Sequence, residues 1–178
     1  GYSVLERQGE RWLARDGQPL LRSAEIGIRG THNEANALAA LALTAELTTD
    51  LDAALGALRD FGGLPHRCQR VAQRNGVTYV DDSKGTNVGA TLAALHGLVG
   101  PLVLIAGGLS KGQDLAPLAA ASRGKVRAAV LIGAAATELE GVFAAVCPTV
   151  RAASMAEAVA RAAALAAPGD TVLLSPAC

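Results

Sequence analysis

Asp81-Asp82-Ser83-Lys84-Gly85-Thr86-Asn87 sets two carboxylates, an ammonium, two hydroxyls and an amide within seven consecutive residues. The apolar, β-branched run Val77-Thr78-Tyr79-Val80 before it reads as a buried strand. Val88 to Leu98 after it reads as a helix. The segment is therefore a loop at the carboxyl end of a strand, where open α/β sheets bind their ligands. Ser83 or Thr86 is expected to cap the helix, whose free N–H groups then face an anion, with Lys84 adding a full positive charge. Asp81 and Asp82 suit a metal, a ribose hydroxyl or a cationic group. A solvated capping turn is the plainer reading of the same residues.

Downstream the pattern repeats. Pro101 to Ala106 reads as a strand that ends in Gly107-Gly108-Leu109-Ser110-Lys111-Gly112, followed by a helix from Leu115 to Ser122. Further strands are expected at Val126 to Ile132, Thr149 to Ala152 and Thr171 to Leu174. Helices are expected near Ala135 to Ala145 and, behind a Ser154-x-x-Glu157 capping box, from Met155 to Ala166. This alternation predicts an α/β fold, a mostly parallel sheet with helices on both faces and right-handed crossovers. The glycine loop spells neither G-x-G-x-x-G nor G-x-x-x-x-G-K-[ST]. Lys111 in it suits a small anionic group such as a carboxylate, or is an ordinary turn lysine.

Upstream, Tyr2 to Arg7, Arg11 to Arg15 and Gln18 to Arg22 read as an antiparallel ribbon turning at Gln8-Gly9-Glu10 and Asp16-Gly17. Such a ribbon needs more sheet than it contains. Thr31-His32-Asn33-Glu34 reads as a capping box before a helix from Ala35 to Glu46. Asn33 and Asn36 share one face of its first turn; they are first-turn polar residues or readers of a base edge. Thr49-x-x-Asp52 is expected to open a second helix, through Arg59, closed by Gly62-Gly63. The pattern changes after Gly62-Gly63-Leu64-Pro65-His66-Arg67, a natural boundary. His66 and Arg67 there suit a phosphate clamp or an exposed linker.

The totals narrow the classes. Sixteen basic residues balance sixteen acidic ones, so no polyanion-binding surface is indicated. Aromatics are only 3%, which leaves Ala, Leu and Val to fill the core and lets helices lie close to a sheet. Cys68, Cys147 and Cys178 form no CxxC pair, which indicates neither a zinc site nor a disulfide framework and suits a reducing cytoplasm. There is no signal peptide and no apolar run of membrane-spanning length. The start at Gly1-Tyr2-Ser3-Val4 and the end at a strand terminus are read as missing sequence at both ends.

Taken together, these motifs resemble the Mur ligase family. The matching segments are His32-Asn33-Glu34-Ala35-Asn36-Ala37-Leu38-Ala39-Ala40-Leu41, Gly63-Leu64-Pro65-His66-Arg67, Asp82-Ser83-Lys84-Gly85-Thr86-Asn87, Gly107-Gly108-Leu109-Ser110-Lys111-Gly112 and Leu174-Ser175-Pro176-Ala177-Cys178. The resemblance implies residues 1–62 as the end of a central ATP-binding domain. It implies residues 63–178 as a Rossmann-like amino-acid-binding domain, short of its last residues. The Asp-Ser-Lys-x-Thr-Asn segment points to the member that joins D-glutamate to UDP-N-acetylmuramoyl-L-alanine through an acyl phosphate, in cytoplasmic peptidoglycan precursor synthesis.

By position, the resemblance places Asn33 and Asn36 at adenine, Arg67 at ATP phosphate and Asp82 on the ribose side. Lys84 and Thr86 fall near the transferred group and the D-glutamate, as the catalytic pair, and Lys111 on a D-glutamate carboxylate. Domain closure is implied to join the nucleotide half-sites. ATP and Mg2+ are the implied cofactors, with the metal ligands in the missing part, so that the fragment alone is inactive. A monomer without nucleic-acid or membrane partners is expected. The alternatives are a sister ligase adding another amino acid, and a stand-alone nucleotide-binding or regulatory module.

Overall fold

A computed structural model describes residues 1–28 and 30–178. The chain forms two compact units, Gly1–Gly63 and Leu64–Cys178.

The first unit begins with an antiparallel three-stranded sheet of β1 (Tyr2–Arg7), β2 (Glu10–Arg15) and β3 (Gln18–Arg22). Its hairpins turn at Gln8-Gly9 and Asp16-Gly17, where all four residues have positive φ. That backbone twist matches the strands, and glycine adopts it without steric cost. Two helices follow, α1 (Thr31–Thr44) and α2 (Leu51–Asp60). Leu13, Leu21, Ile26, Ala37, Leu41 and Leu55 form the core between sheet and helices.

Both N-termini differ from the expectation. Helix α1 starts at Thr31 itself with Gly30 as its cap, so the Thr31–Glu34 capping box does not form. Glu34 is buried instead and takes Arg11 on both carboxylate oxygens, at 3.0 and 2.6 Å. A long-range charge-assisted pair has displaced the local one, and the guanidinium holds the Glu34 carboxyl below its ordinary range through hydrogen bonding, against the opposing effect of burial. Helix α2 is capped by Asp50, not Thr49: its carboxylate accepts from Ala53 N at 2.9 Å.

The second unit is a six-stranded sheet with helices on both faces, as the alternation predicts. Its elements are β4 (Gln69–Arg74), β5 (Val77–Asp81), α3 (Val88–Gly97), β6 (Leu102–Gly107), α4 (Ala116–Ser122), β7 (Val126–Ile132), α5 (Ala136–Phe143), β8 (Thr149–Ala152), α6 (Met155–Leu165) and β9 (Thr171–Leu174). The strand order is β4-β5-β9-β6-β7-β8; only β4, at the edge, is antiparallel. The strand β4 was not foreseen, although Asn75-Gly76, both at positive φ, is a strong hairpin signal.

From β5 to β8 the chain moves one way across the sheet, then reverses to place β9 between β5 and β6. Right-handed crossovers put successive helices on one face until that reversal and on the other face after it. The packing agrees. Leu102, Leu104, Ala129, Leu131 and Leu173 share a core with Leu95 of α3, Leu118 beside the sheet in α4, and Leu139 and Phe143 of α5. Val103, Ile105, Val130 and Val172 point the other way, onto Ala158 and Ala162 of α6. All of β6 is buried, as a central parallel strand covered on both faces should be. Since β9 lies at the point where the order reverses, the ligand crevice of such a sheet is expected outside the carboxyl ends of β5, β9 and β6.

Candidate functional site

Three strand-end segments knit together at that crevice. Gly107 N donates to Pro176 O at 2.8 Å, and Ala177 N to Gly85 O at 2.9 Å. The Lys111 ammonium donates to Thr86 O at 2.9 Å, so the β6 loop reaches the β5 loop. Gly107 carries φ +131, and a Cβ there would lie 1.9 Å from Ile132 O; only glycine permits the chain to leave β6 that close to β7.

The β5 loop is a series of tight turns. Gly85 N donates to Asp82 O at 2.7 Å and Thr86 N to Lys84 O at 2.9 Å. These turns consume the backbone that a Ser83 or Thr86 cap would need. Asn87, in extended conformation, caps α3 by accepting from Ala90 N at 2.9 Å. Val88 N, at the first position of the helix, donates to the side chain of Gln113 at 3.2 Å. The helix terminus is thus largely closed by protein groups, and the positive charge of the crevice rests on side chains. Gln113 was not singled out in the sequence; its place two residues beyond Lys111 on the same loop was the available signal.

Lys84 and Thr86 are both exposed at the crevice. The Lys84 ammonium and the exposed Arg67 guanidinium have no hydrogen-bond or ion-pair partner among the described residues. Arg67 lies in a bend before β4, flanked by His66 and Cys68, both in the left-handed region. That bend is pinned to the β5 loop, because Lys84 N donates to His66 O at 3.2 Å and His66 Nδ1 lies 2.7 Å from Asp81 Oδ2. Burial alone would raise the Asp81 carboxyl; the hydrogen bonds from His66 and Ser83 outweigh it and hold the group below its ordinary range. Cys68, next along, has its thiol pushed up to about 12 by burial and by the Asp82 carboxylate. It is an inert thiol, not a nucleophile.

Asp82 is turned inward. It is 7% exposed and accepts from Ser175 Oγ at 2.8 Å and from Cys68 N at 3.2 Å. Its carboxylate is engaged by protein groups on both oxygens. Asn33 and Asn36 belong to the first unit, where Asn36 Nδ2 donates to Asn33 Oδ1 at 3.2 Å; the shared face holds. The crevice thus gathers Lys84, Thr86 and Lys111, with Arg67 beside Asp81 through its bend.

The arrangement fits anionic reactants. Lys84 and Lys111 stand on two strand-end loops joined by the Lys111–Thr86 bond, and Arg67 stands on the bend bonded to the β5 loop, a set of cations that suits a charged group. The Arg67 fork is unspent among the described residues, as two-pronged recognition of an anion requires. Among the described residues no group of three or more His, Cys, Asp or Glu could hold a metal ion. Among the described residues, too, no helix is long and apolar enough to cross a membrane.

Comparison with known proteins places this chain in a family. The profile described as "Mur ligase, glutamate ligase domain" matches residues 66–178. A UDP-N-acetylmuramoylalanine–D-glutamate ligase of Nitrosococcus oceani is 51% identical over 99% of this chain and 40% of its own length. One of Methylobacillus flagellatus is 54% identical over 99% of this chain and 39% of its own length. The chain therefore spans about 40% of the length of the curated relatives it matches. Among solved structures, the UDP-N-acetylmuramate–alanine ligase of Thermotoga maritima superposes with a TM-score of 0.72 at 17% identity, over 99% of this chain and 42% of that one. A Mycobacterium tuberculosis folylpolyglutamate synthase gives 0.72 at 19% identity, over 97% of this chain and 44% of that one. At such identity these structures speak to the fold alone.

Proposed function

The chain belongs to the Mur ligase family, and on that premise we propose that it is part of an ATP-dependent ligase that joins D-glutamate to UDP-N-acetylmuramoyl-L-alanine. The observation that carries the reading is the meeting of Lys84, Thr86 and Lys111 at one strand-end crevice, clasped by the Lys111–Thr86 bond. About 50% identity to ligases that carry the D-glutamate name supports the choice of amino acid.

ATP, as its magnesium complex, supplies the phosphoryl group that activates the substrate carboxylate as an acyl phosphate; the amine of D-glutamate then displaces phosphate. This chain's residues bind and orient. Arg67 grips nucleotide phosphate, and Asn33 and Asn36 face the adenine. Lys84 stands where negative charge develops on the phosphoryl and oxyanion oxygens, with the Thr86 hydroxyl beside it. Lys111 pairs with a carboxylate of D-glutamate as a point charge. Asp82 acts on the ribose side through the backbone that it fixes. Residues 1–62 serve the ATP-binding domain and 63–178 the amino-acid domain. The enzyme works in the cytoplasm on peptidoglycan precursors, as a monomer.

The test is phosphate release by the full reading frame that carries this chain. Release should require ATP, UDP-N-acetylmuramoyl-L-alanine and D-glutamate together. Activity with L-lysine or a diaminopimelate in place of D-glutamate would assign a sister ligase. D-glutamate-dependent release by the 178-residue chain alone would contradict the expectation that this fragment by itself is inactive.

A further inference from the structure

Behind the exposed lysines runs a buried polar chain that the functional reading does not use. Thr91 on α3 and Ser175 at the end of β9 are each fully buried. Their hydroxyl oxygens lie 2.8 Å apart, and Ser175 donates onward to Asp82 Oδ2 at 2.8 Å. A hydroxyl has one hydrogen, and that of Ser175 is committed to a carboxylate, which when ionised only accepts. Thr91 is therefore the donor to Ser175. The three groups form one directed run, Thr91 to Ser175 to Asp82, linking residues from α3, β9 and the β5 loop.

The run ends against Gly85, the residue between Lys84 and Thr86. The Thr91 hydroxyl is 3.4 Å from Gly85 O, a long second contact. Gly85 N donates to the Asp82 carbonyl, and Gly85 O accepts from Ala177 N, at 2.7 and 2.9 Å. A Cβ on Gly85 would fall 2.4 Å from Asp82 Oδ2 and 2.6 Å from Ser175 Oγ. The Gly85 peptide is thus seated directly on the polar run. Whatever moves the run moves that peptide, and with it the two residues on either side and the carbonyl that Lys111 grips.

We propose that Thr91 and Ser175 are positioning residues for the ligase step. They fix Asp82 and the Gly85 peptide, and so set Lys84 and Thr86 at a defined distance from Lys111. Neither faces the crevice, so neither touches a reactant. The proposal rests on the functional reading above, because it takes Lys84, Thr86 and Lys111 as the groups that meet the substrates. A buried hydroxyl removed from such a run leaves its neighbour unsatisfied, and the loop shifts to find a replacement partner. Misplacement of reacting groups by about 1 Å costs on the order of 10²-fold in rate.

The experiment uses the full reading frame with Thr91→Val, which keeps the side-chain shape and removes the hydroxyl, Thr91→Ser, which restores it, and Ser175→Ala. Turnover and each Michaelis constant are measured beside thermal unfolding and hydrogen exchange at residues 83–87. Thr91→Val and Ser175→Ala should lower kcat about 10- to 10²-fold, by more than they raise the Michaelis constant for ATP, which Asp82 serves on the ribose side. Thr91→Ser should return most of the lost rate. Exchange at 83–87 should rise in the two deletions and not in Thr91→Ser. A folded Thr91→Val enzyme with unchanged kcat would overturn the proposal; so would a uniform loss of stability with kcat retained. If wild-type protein shows no D-glutamate-dependent release, the functional reading falls. Unaltered exchange at 83–87 in Thr91→Val would then sink the positioning role as well, and raised exchange would uphold its structural half.

Discussion

Lys111 crosses from the β6 loop to place its Nζ 2.9 Å from the backbone carbonyl of Thr86 in the β5 loop. One ammonium therefore ties together the two loops and, on the proposed function, keeps its remaining donors for a substrate carboxylate. Lys111→Ala should raise the Michaelis constant for D-glutamate by roughly 10-fold or more, the worth of a hydrogen bond to a charged group. The ATP constant should stay nearly level. Steady-state kinetics with each substrate varied in turn will separate the two. A change confined to ATP would remove Lys111 from the amino-acid pocket.

Lys84 and Arg67 should part company. Lys84 is unpaired among the described residues and, on the proposed function, stands where charge builds in the transition state, so Lys84→Ala should lower kcat by about 10²–10³. On the proposed function Arg67 grips nucleotide in the ground state as well, so Arg67→Ala should act chiefly on the Michaelis constant for ATP. Equal effects of both substitutions on both parameters would refute the division of roles.

Far from the crevice, at the amino end of β9, Asp170 is 2% exposed and held by Arg127 at 2.6 and 3.2 Å and by Ala167 N at 2.8 Å. Asp170→Asn should destabilise the second unit by about 2–3 kcal/mol; the cost of breaking a buried pair is reduced because Arg127 remains half in water. The Arg127 hydrogen bonds hold the Asp170 carboxyl below its ordinary range, against the opposing effect of burial. A carboxyl depressed on folding contributes stability above its unfolded pKa, about 3.9, and that contribution is lost as pH falls through the lower folded value. Urea unfolding between pH 7 and pH 2 should show wild type losing its advantage over Asp170→Asn at the acid end. Parallel profiles would remove the linkage.

The two units should also unfold unequally. Six fully or nearly buried apolar residues form the core of the first, whereas the second has two packed faces around an all-buried β6. Hydrogen exchange should find residues 1–30 of this chain opening first. Uniform protection across both units would contradict the division between Gly63 and Leu64.

The sequence disclosed periodic and punctuated features well. Strands β1 and β3, the fully buried β6 and the terminal β9 announced themselves by alternation or by unbroken apolar runs. Caps were less legible, because several side chains compete for each helix end and the winner depends on distant groups. Glu34 left its capping box for Arg11, twenty-three residues away in sequence. Asn87 displaced Ser83 and Thr86 once turns had taken up residues 82–86. Strand β4 lacks the apolar alternation of a half-buried strand, since it is an edge with Gln69, Arg70, Gln73 and Arg74 in the ladder. The strand-end placement of Lys84 and Lys111 was readable from spacing alone. The Thr91–Ser175–Asp82 run was not, because it joins residues up to 93 positions apart.

That same β4 has a bearing on how the molecule keeps to itself. A sheet's flank offers unpaired backbone groups on which another chain can polymerise. Here the flank is arginine-bearing, and its ladder breaks register between Arg70 and Ala72. The opposite flank, β8, is only four residues long and carries Arg151. Both ends of the six-stranded sheet are thus poor templates, so the second unit is guarded against ribbon-like aggregation along its own sheet edges.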